Sequence, residues 1–337
     1  MKKGFLIAAA VLAGVGLLLL AGAFAAAGFD LTNLDASNFE TNTYTAGEAF
    51  ASVEIRADEA NIALRPSADG ACSVVCVERA NARHAVSVED RTLQIVAADT
   101  RTWKDDLMLF QWKSQSVTVY LPVAAYESLT IETDTGDVAV PDEFSFADVR
   151  IAADTGEVVC GVPTSDRITI RTGTGDLWIT AVQTGSMDLE TSTGRIRLEA
   201  VECAETLSIR VGTGKTELEN VTAKALYSTG STGKTELENV TAKALYSIGS
   251  TGKITLKNTL VADNLFLQRS TGDVHFIACD AGQITVQTST GDVTGAFRTE
   301  KVFVTSTSTG RVSVPASGSG GRCEITTSTG DIRITAP

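Results

Sequence analysis

The chain reads as an all-β protein: a single β-solenoid of 19–20-residue two-strand coils, preceded by an amino-terminal transmembrane or signal helix. Three observations predict this. A Thr-Gly pair returns every 19 or 20 residues, with its glycines at Gly136, Gly156, Gly175, Gly194, Gly214, Gly233, Gly252, Gly272, Gly291, Gly310 and Gly330. Between these pairs apolar and polar residues alternate, the period of an extended strand with one buried face. The segment Thr213 to Ser228 also reappears unchanged as Thr232 to Ser247. A whole-coil insertion of this kind is tolerated where each coil contacts only its neighbours, as in a quasi-one-dimensional stack.

The first element, residues 1–29, is a transmembrane anchor or signal peptide. Lys2 and Lys3 precede an uncharged, largely apolar run from Gly4 to Phe29. That run exceeds the roughly 20 helical residues a bilayer needs, which favours an anchor with its amino end inside. Small residues around Ala21, Ala23, Ala25 and Ala27 keep cleavage as the alternative. Residues 30–46, rich in Asn, Ser and Thr, read as a polar tether. Either reading places the remaining mass outside the cytoplasm.

Residues 47–130 keep the alternation, as at Val53 and Ile55 or Val117, Val119 and Leu121, but lack the regular period. They read as irregular β structure that opens and caps the solenoid, because a bare end would expose unpaired strand edges. Within it, Trp103, Leu107, Met108, Phe110 and Trp112 form the densest apolar cluster outside the leader. It is expected to be a capping loop, or else a partner-binding patch.

Residues 131–337 form the regular solenoid of about eleven coils, a rod about 50 Å long at a strand spacing of about 4.8 Å. In the coil ending at Gly291, Val274 and Phe276 face inward from the first strand and Ile284 and Val286 from the second. Leu177, Ile179, Met187 and Leu189 repeat the scheme. The glycine of each Thr-Gly pair is expected at a corner with positive φ, where a side chain is costly. The opposite corner carries Asn220, Asn239 and Asn258 in three adjacent coils, a possible hydrogen-bonded ladder along the axis. Small residues such as Ala181, Ala200, Ala278 and Gly295 hold that corner elsewhere.

No catalytic constellation emerges, and no cofactor or metal site is expected. The six cysteines read as free, buried thiols: Cys72 and Cys76 lie on one extended strand, about 13 Å apart, too far to bridge. His84 and His275 are distant in sequence and sit in no zinc or nucleophile motif. The residues after the corner glycines include Arg195, Lys215, Lys234, Lys253 and Arg311, which would repel calcium. The Thr-x-Thr pairs, for example Thr172 and Thr174, continue the inward register and so are expected to line a corner rather than a flat ice-binding face. Polysaccharide-acting β-helix enzymes wall a cleft with long loops, and insertions of that kind are missing here.

The formal net charge is −13, from 28 basic and 41 acidic residues. Nucleic acid is therefore excluded as a partner, since phosphate binding rests on clustered Lys and Arg. Envelope components, surfaces or cationic peptides remain as partners, with the membrane engaged through the amino-terminal helix.

The run Val117-Thr118-Val119-Tyr120-Leu121-Pro122, followed by Leu129-Thr130-Ile131-Glu132-Thr133-Asp134-Thr135-Gly136-Asp137-Val138, resembles the bacterial putative adhesin family, a domain of unknown function with Thr-Gly-Asp β-solenoid repeats. The similarity covers residues 47–337. It implies a β-solenoid of the cell envelope, associated with surface attachment or with envelope-stress and antimicrobial-peptide responses. It carries over no catalytic residues, and the basic residues at Arg195, Lys215, Lys234 and Lys253 depart from its Gly-Asp pattern. The combined expectation is a noncatalytic envelope scaffold or adhesin, with a sensor or decoy for cationic peptides as the alternative.

Overall fold

The computed structural model describes residues 39–79, 82–99, 115–316 and 318–337. All their regular structure is β, in a single solenoid. The expected helix at 1–29 and the apolar cluster Trp103, Leu107, Met108, Phe110 and Trp112 lie outside the described residues. Among the described residues no helix is long and apolar enough to cross a membrane.

Successive coils pair in parallel with like residues in register, for example Leu218 with Leu237 and Leu226 with Leu245. Aliphatic side chains therefore form continuous buried rows down the axis, among them Leu177, Ile179, Met187 and Leu189. Burying each is worth about 1.5–3 kcal/mol over leaving it exposed. A lone coil, open on both edges, forgoes most of that gain, so stacking stabilises every coil through its neighbours.

The coils have three sides rather than the expected two. The coil from Leu177 to Thr193 contains strands Leu177–Thr180, Gln183–Thr184 and Ser186–Thr193. The extra side starts at one left-handed residue, Ala181 (φ 57°), Ala200 (55°), Asn220 (55°), Asn239 (54°), Asn258 (50°) or Ala278 (51°). A single such residue resets the alternation, so Ile179 and Val182 are both buried although they are three positions apart, which in an unbroken strand would put them on opposite faces. At the other corner Gly252 has φ 138°, and a Cβ there would stand 1.8 Å from the Gly233 carbonyl oxygen. The coils approach too closely at that corner for any side chain.

The amino-terminal end is built from strands β1 (Phe39–Ala46), β2 (Ser52–Pro66), β3 (Cys72–Arg79), β4 (Ala82–Glu89), β5 (Thr92–Asp99), β6 (Gln115–Leu121), β7 (Ala125–Thr135) and β8 (Val138–Val140). β2 runs parallel to β7 and β8 on one edge and to β5 and β6 on the other. Beyond them the sheet turns antiparallel: β3 pairs with β6, β1 with β3, and β4 with β5. Antiparallel neighbours need only short connections, which lets the chain fold back on its own end. Residues 39–46, expected in the tether, are thus strand β1. Its polar composition suits an outer strand, whose Asn42 and Tyr44 bond to Glu78 of β3.

Stacking order also departs from chain order at the carboxyl end, against the expectation that coils contact only their neighbours in sequence. Strand Gly321–Thr329 lies between Val274–Thr290 and Lys301–Thr309, pairing Cys323 with both Ile284 and Phe303. The corner column accordingly runs Gly291, Gly330, Gly310: the Gly291 N–H donates to the Thr329 carbonyl and the Gly330 N–H to Thr309. Composition explains the exchange. The inner coil offers Cys323, Ile325, Ile332 and Ile334, all buried. The outer coil offers Phe303, Thr305 and Thr307, which stay half-buried. Hydroxyls cost less at the open end of a stack than between two coils. Lys301, at the rim, is buried and donates to Asp280 Oδ1 (2.5 Å), Thr299 Oγ1 (2.8 Å) and the Ala281 carbonyl (2.9 Å).

Candidate interaction surface

Because the coils stack in register, each outward position becomes a column, and the chemistry of a face is the chemistry of its columns. On the side that ends at the Thr-Gly corner, one column reads Ser208, Tyr227, Tyr246, Phe266 and Thr285. The Tyr227 and Tyr246 rings stack at 5.2 Å with an interplanar angle of 7°, and Phe266 follows at 6.3 Å, tilted by 40°. Tyr227 is 43% exposed, and Ile248 in the neighbouring column is 44% exposed. Together they make a flat, outward aromatic and aliphatic row across three coils. Beside it runs an open trough of about 440 Å³ bordered by Arg210, Thr229, Gly230, Ser231, Ile248 and Gln268. The row ends at a charged network in which Arg210 Nη2 donates to Asp188 Oδ1 (2.6 Å) and Arg210 Nε to Glu190 Oε2 (3.3 Å).

Gly230 and Gly249 occupy an inward column that holds Thr191 and Val211 in earlier coils. The space this leaves is taken by the Arg269 guanidinium, 3.1 Å from where a Cβ on Gly249 would stand. Arg269 is buried, donates to Ser247 Oγ (2.9 Å) and the Gln268 carbonyl (2.8 Å), and burial lowers its pKa to about 10.

A second concavity of about 780 Å³ follows the short third side, floored by Gly185, Ala204, Ala223 and Ala242 and rimmed by Glu202, Lys224 and Lys243. Within its lining, Thr184, Cys203, Ala223 and Ala242 form one register column.

The corner carboxylates hold the stack together. Asp137 Oδ1 accepts the Glu157 N–H (2.8 Å), Asp176 Oδ1 the Arg195 N–H (2.7 Å) and Asp273 Oδ1 the Asp292 N–H (3.0 Å). At the opposite corner Asn239 Nδ2 donates to Asn220 Oδ1 (2.9 Å) and Asn258 Nδ2 to Asn239 Oδ1 (3.1 Å). The Thr-x-Thr pairs split, contrary to the expectation that both turn inward. Thr172 and Thr191 are buried, while Thr174 and Thr193 are exposed. The chain is already turning toward the glycine at the second threonine, and alternation ends there. Thr191 Oγ1 donates to the Gly175 carbonyl (3.1 Å); Thr133, Thr172 and Thr288 hydroxyls find no such partner.

All six cysteines are buried and unpaired. The two histidines lie apart, His275 outward against Thr294 Oγ1 (2.9 Å) and His84 buried on β4. There the fold joins residues the sequence reading left separate. Cys76, Glu78 and His84 are all buried, and one ligand atom of each lies within 4.8 Å of the others. Glu78 Oε2 accepts from the His84 backbone N–H (2.7 Å) and contacts Nδ1 (2.8 Å), while Oε1 accepts from Asn42 (2.7 Å) and Tyr44 (3.1 Å). Burial acts to raise the Glu78 pKa, but these hydrogen bonds outweigh it and hold the carboxyl below its ordinary value. Burial, with the Glu78 charge, pushes the Cys76 thiol up to about 12. Strand alternation could have indicated the first two, since Cys72, Val74, Cys76 and Glu78 share one face; nothing in the spacing indicated His84.

Solved structures match the chain at low identity. A putative adhesin from Parabacteroides distasonis ATCC 8503 is 12% identical, covering 77% of this chain and 98% of its own, with a TM-score of 0.46. A putative lipid binding protein from the same organism is 13% identical, with coverage of 77% and 98% and a TM-score of 0.46. A putative adhesin from Bacteroides fragilis NCTC 9343 is 13% identical, with coverage of 90% and 99% and a TM-score of 0.34. No curated protein is significantly similar to the chain. The family model described as Toastrack DUF4097 matches residues 50–335, and the chain belongs to that family.

Proposed function

We propose that the protein is a noncatalytic β-solenoid of the cell envelope that serves as an adhesin or surface interaction scaffold, held to the membrane by residues 1–29 with the solenoid outside the cytoplasm. The observation that carries this reading is the outward row of Tyr227, Tyr246, Phe266 and Ile248 on a flat, rigid face. Aromatic rings held in register present a large apolar area with little conformational entropy left to lose, which suits them to flat ligand surfaces such as the apolar faces of sugar rings. The alternative of a decoy for cationic peptides has less support, because many outward carboxylates already pair with bases. Glu217 pairs with Lys215, Glu236 with Lys215 and Lys234, and Glu238 with Lys257.

The test displays the full chain on cells and measures attachment to immobilised envelope polysaccharides. In the variant Tyr227→Ser, Phe266→Thr each position takes the residue found one coil away in its own column, so the fold is retained. Attachment should fall about tenfold or more. Equal attachment by variant and wild type would end this reading.

A further inference from the structure

We propose a second site, independent of the outer surface: Cys76, Glu78 and His84 bind a thiophilic divalent cation, Zn²⁺, inside the amino-terminal cap. β3 places Cys76 and Glu78 on one inward face, two residues apart, and β4 brings His84 against them. All three side chains are buried, and one ligand atom of each lies within 4.8 Å of the others. Their depth excludes a substrate, so a thiol beside an imidazole and a carboxylate does not act here as a nucleophile. A bare ion, by contrast, needs no cleft.

The donor set is the one zinc takes. Thiolate, imidazole and carboxylate are its ordinary ligands at about 2.0–2.3 Å, which puts ligand atoms roughly 3.5 Å apart in a tetrahedron. The three groups need close by little more than about 1 Å from their present upper limit. Tyr44, whose hydroxyl is 3.1 Å from Glu78 Oε1, is near enough to complete the shell, as is a water. Charge also balances: one thiolate and one carboxylate neutralise a divalent cation, whereas either anion alone is costly to bury. The sulfur ligand selects zinc over magnesium or calcium.

The second observation is an orphan. His84 Nε2 is buried and has no hydrogen-bond partner among the described residues, although Nδ1 is engaged by Glu78. The ion enters between Oε2 and Nδ1, now 2.8 Å apart, in place of the proton they share, which passes to the unpartnered Nε2; with no bond at Nε2, nothing there holds the ring against the small turn this needs. On binding, the Cys76 Sγ–H bond breaks, its proton leaves to solvent and the sulfur lone pair forms the bond to the metal.

The full chain, reduced and stripped with a chelator, is titrated with Co²⁺ as a spectroscopic stand-in, then with Zn²⁺. One equivalent of Co²⁺ should bind with a thiolate-to-cobalt charge-transfer band, and Zn²⁺ should displace it. Cys76→Ser should abolish the band while Cys72→Ser, on the same face, keeps it. Glu78→Gln should weaken Zn²⁺ binding about 10- to 100-fold, and Zn²⁺ should raise the melting temperature of the wild type but not of His84→Gln. If Cys76→Ser does not fold, the wild-type spectrum and melting shift decide. The proposal is overturned by absence of stoichiometric binding, by a band that survives in Cys76→Ser, or by equal melting of stripped and zinc-loaded wild type. Those outcomes would leave the cluster as a hydrogen-bonded core network.

Discussion

Substituting Gly252 by alanine tests the reasoning behind the corner column most directly. Its φ of 138° lies in a region nearly reserved for glycine, which costs an alanine about 1–3 kcal/mol. The new Cβ would stand 1.8 Å from the Gly233 carbonyl oxygen, and contact with backbone cannot be relieved by a rotamer change. The adjacent coils must separate, straining the Gly252 N–H bond to Thr271 and the Gly233 N–H bond to Thr251, 2.8 and 2.9 Å long. At about 1 kcal/mol per backbone bond, the total is about 3–5 kcal/mol. Gly230→Ala is the matched control: its φ is not positive, and its Cβ would meet only the Val211 carbonyl oxygen at 3.3 Å. It should change stability by less than about 1 kcal/mol, since the tight contact and the stiffer unfolded chain act in opposite directions. Since long repeats need not unfold in one step, native-state hydrogen exchange should be read coil by coil. Protection should drop around Gly233, Gly252 and Gly272 in Gly252→Ala. If the two variants differ by less than about 0.5 kcal/mol in local opening free energy, the close-approach argument is wrong.

Other outcomes follow from neighbouring features. For Arg269, burial lowers the folded pKa to about 10 from 12.5. At neutral pH the group is charged in both states and its burial opposes folding; as pH rises past 10 the folded state sheds the proton first and the penalty lifts. Stability of the wild type relative to Arg269→Met should therefore rise by about 1.4 kcal/mol between pH 8 and 11, measured by urea unfolding at each pH. Asn239→Gly keeps the left-handed corner but removes both ladder bonds, and should cost about 1–2 kcal/mol in the same assay. Lys301→Ala removes the hydrogen bonds to half-buried Asp280, the buried Ala281 carbonyl and exposed Thr299, and leaves Asp280 without its cation. It should destabilise by about 3 kcal/mol, seen first as faster exchange in strands Lys301–Thr309 and Gly321–Thr329, whereas Lys301→Met should recover part of the loss.

The inward rows and the glycine period were legible because stacking repeats the same physical demand in every coil. Ile284 and Val286 had to face inward, and Gly252 had to be a residue without Cβ. What escaped depended on single residues or on comparisons between distant segments. One left-handed residue at Ala181 or Asn239 inserts a third side, and its signature, a small residue or asparagine, also fits an ordinary turn. The exchange of the last two coils turns on whether Phe303 with Thr305 and Thr307, or Cys323 with Ile325 and Ile332, gains more from burial on both edges. Both segments match the repeat equally well. The meeting of Cys76, Glu78 and His84 depends on an antiparallel return at the end of the stack, which no period encodes.

The exchanged coils mean that residues 321–335 are a keystone laid beneath a course that precedes them in the chain. During synthesis, Lys301–Ser313 emerges before the layer it rests on, so its pairing waits until Gly321–Thr335 slots in. A premature stop just after Val314 would not yield a rod one course shorter. It would leave Ile284, Val286 and Val293 facing a gap, with the outermost course unsupported.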